Sequence, residues 1–193
     1  MFAISCNTSI HQKQIEKRNI PVELCNGDIV FRRGIGVASQ AVLFANSQGT
    51  FSHVGVAVNI DDKWNVLHEV PYEGENQDDD KIHCEPIEDF FNTDKASCGA
   101  VYRLKGIDTL KQQIIKEYLK YKLACDVPFD HEYDLDDSTK LYCTELVWRS
   151  YLEAGVDITK GSRTEIFLLI FNGMQILPCD IESNEDLELI YMF

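Results

Sequence analysis

The chain has 193 residues, 45% of them apolar and 26% charged, which is enough for a globular domain with a real core. Eighteen basic residues stand against 32 acidic ones, and the net charge of −14 argues against nucleic acid as a partner and against simple attraction to an anionic membrane. An apolar groove for a lipid-like substrate remains compatible with that charge, while no run of 18 apolar residues offers a transmembrane helix.

Residues 1–20 read as a polar N-terminal arm, with a short helix over His11–Lys17, ahead of a single domain over 21–193. Phe2-Ala-Ile-Ser-Cys6 looks like the tail of a bacterial lipoprotein signal, which would make Cys6 a lipid anchor if a longer segment preceded it. Asn26-Gly27 marks a turn, Asp28–Phe31 a short strand, and Val37–Ser47 a helix with Val37, Ala41, Phe44 and Ala45 on one stripe. Phe51–Ile60 is a clear strand. His53, Gly55 and Ala57 lie on one face and Val54, Val56 and Val58 on the other, and the small face leaves room for a helix to dock. Asp61-Asp62 turns the chain into a returning strand, Trp64–Val70. Here Trp64, Val66, His68 and Val70 share one face and Asn65, Leu67 and Glu69 the other.

Tyr72–Lys81, with Asp78-Asp79-Asp80, lacks the alternating oxygen ligands of a calcium loop and reads as solvated surface. Ile82–Glu85 reads as a short strand, Pro86–Phe91 as a short helix and Gly99–Leu104 as a strand. Asp108 caps a helix running through Leu110, Ile114, Tyr118, Tyr121 and Cys125. An acidic connection, 126–140, leads to a helix from Tyr142 to Gly155, with Ser138 and Thr139 as N-terminal caps. Its inner stripe is Cys143, Leu146, Val147, Ser150, Tyr151 and Ala154, with Glu145, Arg149 and Glu153 on other faces. Thr164–Asn172, apolar on nearly every side, reads as a buried helix or the wall of an apolar groove. Pro178 ends the segment that follows, and Leu187–Phe193 is a closing strand.

Seven cysteines is an odd number, without a Cys-x-x-Cys or zinc-ligand spacing, so no metal and no cofactor is expected. Dispersed cysteines suit a reducing compartment such as bacterial cytoplasm, while a lipid anchor at Cys6 would place the chain at the cell envelope. Cys143 stands in the first turn of its helix, where the dipole favours a thiolate, and a small buried core residue is the plain alternative. A cysteine nucleophile needs an imidazole base and a group to orient it. All five histidines precede Cys143. His11 lies in the arm and His83 beside the acidic loop, both weak candidates, and pattern does not dismiss His131. His53, at a strand start, is the best base. His68 on the neighbouring strand is the favoured orienting group, with adjacent Glu69 as the alternative should the register turn it inward.

Gly27-Asp-Ile-Val-Phe-Arg-Arg33, Phe51-Ser-His-Val-Gly-Val-Ala57, Val66-Leu-His-Glu-Val-Pro71 and Leu141-Tyr-Cys-Thr-Glu-Leu-Val-Trp148 resemble the circularly permuted NlpC-type, papain-like cysteine hydrolases of the YiiX branch, over roughly residues 24–157. The resemblance implies an α+β fold with an antiparallel sheet packed against the helix that carries the catalytic cysteine. It implies Cys143 as nucleophile, His53 as base, and His68 or Glu69 as third residue. The implied reaction is thiolate attack on an amide, in a cell-wall-type peptide or an N-acyl lipid, with backbone N–H groups including that of Cys143 holding the oxyanion. A thiol acyltransferase or lipid esterase of the lecithin:retinol acyltransferase type, and a non-catalytic binding module on the same fold, are the rival readings. The acidic approach to the helix works against thiolate formation, so Cys143 stays a thiol unless the dipole and a protonated His53 outweigh it.

Overall fold

The structure is a computed structural model that describes residues 17–45, 49–71, 80–167 and 172–193, apart from the side chains of Phe167 and Asn172. The lipoprotein-like Phe2–Cys6, nearly all of the His11–Lys17 helix, and most of the acidic 72–81 loop lie outside the described residues.

In chain order the elements are β1 (Asp28–Gly34), α1 (Val37–Ala45), β2 (His53–Ile60), β3 (Lys63–Glu69), β4 (Ile82–Pro86), α2 (Ile87–Phe90) and β5 (Ala96–Leu104). They continue with α3 (Thr109–Ala124), α4 (Cys143–Glu153), β6 (Thr164–Phe167), β7 (Asn172–Gln175), α5 (Pro178–Glu182) and β8 (Leu187–Met192). Six strands form one antiparallel sheet in the order β4-β3-β2-β1-β5-β8, and β6 and β7 pair as a separate hairpin.

Strand alternation gives the sheet two apolar faces. Ile29, Phe31, Val54, Val56, Val58 and Leu67 turn to one side, where they bury against Leu146, Val147 and Tyr151 of α4 and Ile115 and Leu119 of α3. Val30, Ala57, Val66 and Val101 turn to the other, beneath Ile87, Phe90 and Phe91. The helix with Cys143 therefore lies on the valine face of β2, not on the small-residue face of Gly55 and Ala57. A Cβ at Gly55 would come within 2.6 Å of Val66 Cγ1 and 2.9 Å of His68 Cβ. The room on that face belongs to side chains of the neighbouring strand.

Both ends of α4 are anchored. At its far end Tyr151 donates a hydrogen bond to the Gly27 carbonyl (2.5 Å), in the turn that opens β1. Gly27 has φ +91°, a conformation glycine adopts freely. Asp28 then takes a two-pronged ion pair from Arg103 on β5, Nε–Oδ1 2.7 Å and Nη2–Oδ2 2.8 Å.

One helical expectation changes, and three other readings gain detail. Thr164–Asn172 is not a helix: β6 and β7 occupy its ends, and its unbroken apolar run carried no period to tell helix from strand. Of the groove residues expected there, Ile166 is buried and 168–171 lie outside the described residues. Pro178 ends the segment through Leu177, as expected, and does so by opening α5 at its first turn. On α3, capped by Asp108 as its sequence suggests, Ile115 and Leu119 are the buried pair, while Leu110 and Tyr121 face solvent. On α1 no residue is buried, and Phe44 and Val37 of its apolar stripe are exposed.

Candidate active site

The site begins where α4 begins. Its N-cap is Tyr142, in extended conformation and without a side-chain capping bond. Ser138 and Thr139, expected as caps, belong to the preceding turn, where Thr139 donates both its N–H and its hydroxyl to Asp137. The helix start is held from outside. Thr144 Oγ1 donates to the Ile176 carbonyl (2.6 Å), and Ile176 N–H donates to Tyr142 Oη (3.0 Å). Glu145, off the apolar stripe, is nonetheless fully buried. It accepts from Arg149 Nε at 2.6 Å and from the Tyr142 N–H, a reach back to the helix cap by a third-position glutamate. Burial pushes its carboxyl up to about 7 even so.

Cys143, first residue of α4, is half-buried. Its sulfur accepts from the main-chain N–H groups of Val54 and Thr144. Val54 is the residue after His53, so the sulfur rests at the start of β2 beside the His53 backbone. Burial pushes the thiol up to about 11, and the main-chain N–H groups only partly offset it. The thiolate expected from the helix dipole does not form at rest, because desolvation outweighs the dipole. Glu69 adds to the effect, while Arg32 opposes it.

His53 and His68 are both buried. His53 Nε2 lies 2.9 Å from His68 Nδ1, a hydrogen bond between imidazoles on adjacent strands. His68 Nε2 lies 3.0 Å from Glu85 Oε1, a close polar contact without the geometry of a linear hydrogen bond. Glu85 Oε2 meets Lys95 Nζ at 2.5 Å, and Arg32 Nη1 stands 3.6 Å from Oε1. Phe90 covers the pair, its ring 5.8 Å from that of His53 and 5.1 Å from that of His68. Burial, then the Arg32 guanidinium, pushes His53 well below the usual imidazole range. Burial brings His68 to about 4, against the pull of Glu85. For Glu85, burial pulls upward, but His68 and Lys95 outweigh it and hold the carboxyl at about 2. Near neutral pH the site thus holds a thiol, two neutral imidazoles and an ionised glutamate.

Glu69, the alternative third residue, is on the opposite face of β3 from His68. It pairs with Val54, on the α4 side of the sheet, following from the Val56–Leu67 register. It is fully buried, and neither carboxyl oxygen has a partner among the described residues. Burial, reinforced by Asp80, raises its pKa to about 9, so it is neutral. His83 stacks on His68 from β4, ring centroids 5.7 Å apart. His131 pairs with Asp80 at 2.5 Å on the surface, and His11 lies outside the described residues.

Cys143 and His53 line one cavity of about 610 Å³. Arg32 and Lys95 also reach it, and Val37 and Val42 of α1, Val70, Phe129 and Tyr133 supply apolar and aromatic wall. Such a cavity suits a ligand with an apolar portion and a polar end. Sequence reasoning missed Glu85, Arg32 and Lys95. Glu85 does sit two residues after His83 on a segment read as a strand, so both share a face. Only the pairing of β4 with β3 aims that face at His68.

Among the described residues no helix is long and apolar enough to cross a membrane. A family model described as permuted papain-like amidase enzyme, YaeF/YiiX, C92 family, matches residues 23–180. The crystal structure of metalloprotein yiiX from Escherichia coli O157:H7 shares the fold. Its TM-score is 0.70 at 18% identity, over 86% of this chain and 96% of that one. No curated protein matches the sequence. Among the described residues no group of three or more His, Cys, Asp and Glu side chains is arranged to hold a metal ion.

Proposed function

Because the chain belongs to the family of permuted papain-like amidases of the YaeF/YiiX type, we propose that it is a cysteine hydrolase that cleaves an amide bond through Cys143, with His53 as general base and acid. The observation that carries this reading is the seat of the Cys143 sulfur against the Val54 N–H, beside His53, at the wall of a cavity that both residues line.

His53 Nε2 is engaged by His68, which leaves Nδ1 to take the thiol proton as sulfur attacks the carbonyl carbon. The negative charge moves to the carbonyl oxygen, next to the N–H groups of the α4 start, that of Cys143 among them. His53 returns the proton to the leaving nitrogen, the C–N bond breaks, and an amine departs from a thioester at Cys143. Water then gives its proton to His53 and its oxygen to the acyl carbon. The C–S bond breaks, the sulfur recovers a proton, and a carboxylate leaves. Proton transfer is concerted with attack, since thiol and imidazole are both neutral at rest.

The apolar wall from α1, Val70 and Phe129 favours an N-acyl amide, while Arg32 and Lys95 suit an anionic end such as the carboxylate of a cell-wall-type peptide. Transfer of the acyl group to an amine or alcohol instead of water would use the same thioester. The test supplies a long-chain N-acyl amino acid and a short acidic peptide separately. The expected result is amine release by the wild type and none by Cys143→Ala, with an acyl mass adduct on Cys143 in quenched samples. Equal turnover by Cys143→Ala would end the reading, and product formed only with an added acceptor would make the chain a transferase.

A further inference from the structure

We propose that Glu85 is a positioning residue that sets the tautomers of both buried histidines and so turns the basic nitrogen of His53 toward Cys143. The inference rests on the assignment of Cys143 and His53 above, and adds a residue two contacts away from the sulfur.

Two imidazoles sharing one hydrogen bond have two proton arrangements. In the first, His68 carries its proton on Nε2, facing Glu85, and its bare Nδ1 accepts from His53 Nε2–H. His53 Nδ1 is then unprotonated and can accept the thiol proton. In the second, His68 Nδ1–H donates to His53 Nε2, and His53 must hold its own proton on Nδ1. That ring cannot act as a base toward the sulfur. The second arrangement also puts the bare Nε2 lone pair of His68 against a carboxylate oxygen 3.0 Å away. Although the contact is off-line, only the first arrangement places a proton between the ring and the carboxylate, and charge-assisted contacts of this kind are the strong ones.

The selection requires Glu85 to stay ionised and His68 to stay neutral. Every element packed on the pair contributes. From β1, Arg32 faces both Glu85 and the Phe90 ring. From β4, His83 stacks on His68. From the turn before β5, Lys95 closes on Glu85. From β2 comes His53 itself. The His68 contact and Lys95 hold the carboxylate charged, while burial, with the Arg32 guanidinium beside the ring, opposes a second proton on His68. Glu85 is thus the fixed end of a directed row, Glu85–His68–His53, that ends at the thiol.

The test is ¹⁵N NMR of the full chain with labelled histidine at pH 7, which tells a protonated ring nitrogen from a bare one. The expected wild-type result is Nε2–H on both His53 and His68. In Glu85→Gln, whose amide can donate to His68 Nε2, the second arrangement appears in both rings. Amide-hydrolysis kcat falls by at least about tenfold with KM little changed, the consequence of a misplaced imidazole proton. Glu85→Asp keeps the wild-type tautomers and recovers part of the rate. An Nδ1–H His53 in the wild type, or unchanged tautomers in Glu85→Gln, overturns the proposal. Should Glu85→Gln fail to fold, the wild-type spectrum decides alone. A chain with the expected tautomers but no thioester at Cys143 would retain the role of Glu85 in the row and lose the hydrolase reading, so the two failures are separable.

Discussion

Gly55 and His68 face each other across the β2–β3 ladder so closely that a Cβ on Gly55 would lie 2.9 Å from His68 Cβ. The same atom would meet the Leu67 carbonyl oxygen at 2.9 Å, and backbone cannot swing aside. The position of the His68 ring therefore depends on a missing side chain on the adjacent strand. Gly55→Ala is expected to cost about 1–3 kcal/mol of stability through overpacking. It should also separate the His53 and His68 rings and depress hydrolysis at least about tenfold by disturbing the base. Thermal unfolding and steady-state kinetics on the same preparation check this; unaltered kinetics would show that the ring pair tolerates displacement.

The ionisation state of Cys143 has its own signature. With burial holding the thiol at about 11 and His53 neutral, wild-type Cys143 should alkylate with iodoacetamide more slowly at pH 7 than exposed Cys125, and its rate should keep rising through pH 9. Peptide mass spectrometry resolves the two sites. A rate plateau below pH 8 would reveal a thiolate–imidazolium pair at rest in place of the neutral thiol and imidazole.

Glu69 links stability to pH. Its carboxyl keeps a proton up to about 9 in the folded chain and only to 4.5 ordinarily, so between those values unfolding releases a proton. Its contribution is fully present below 4.5 and declines as pH rises toward 9, by up to about 1.4 kcal/mol per pH unit. Glu69→Gln removes the titration. Its urea midpoint should move upward relative to wild type from pH 5 to pH 8.5, and a constant difference across that range would mean that Glu69 is already charged.

Thr144→Val removes the buried hydroxyl that fastens the α4 start to the Ile176 carbonyl. Leaving that carbonyl unpaired should cost about 1–3 kcal/mol. The expected fall in Tm is about 2–4 °C per kcal/mol for a chain of this size. Hydrolysis should weaken as well, since Cys143 rides on the same turn. An unchanged Tm would show that solvent or Tyr142 replaces the bond.

Much of this architecture could be read along the chain because it rests on local physics. Alternation in His53–Val58 and Trp64–Val70, the Asp108 cap and the three-four spacing from Cys143 to Tyr151 each depend on neighbours within a few residues. That period made α4 a helix with Cys143 at its start, and strand alternation alone put His68 and Glu69 on opposite faces. The Thr164–Asn172 run failed for the same reason in reverse, since consecutive apolar residues contain no period to read.

Tertiary structure decided everything that depends on which strand lies beside which and on how far water is excluded. The place of Cys143 in a first turn suggested a helix dipole acting on the thiol, but only packing revealed that α4 lies against the valine face of β2, where desolvation of Cys143 prevails over the dipole. Glu85 acquired its place beside His68 through the β3–β4 register, a contact across the sheet that no spacing along β4 encodes. Charge and burial act through space, so their balance at the sulfur and the two imidazoles emerged only once the chain was folded.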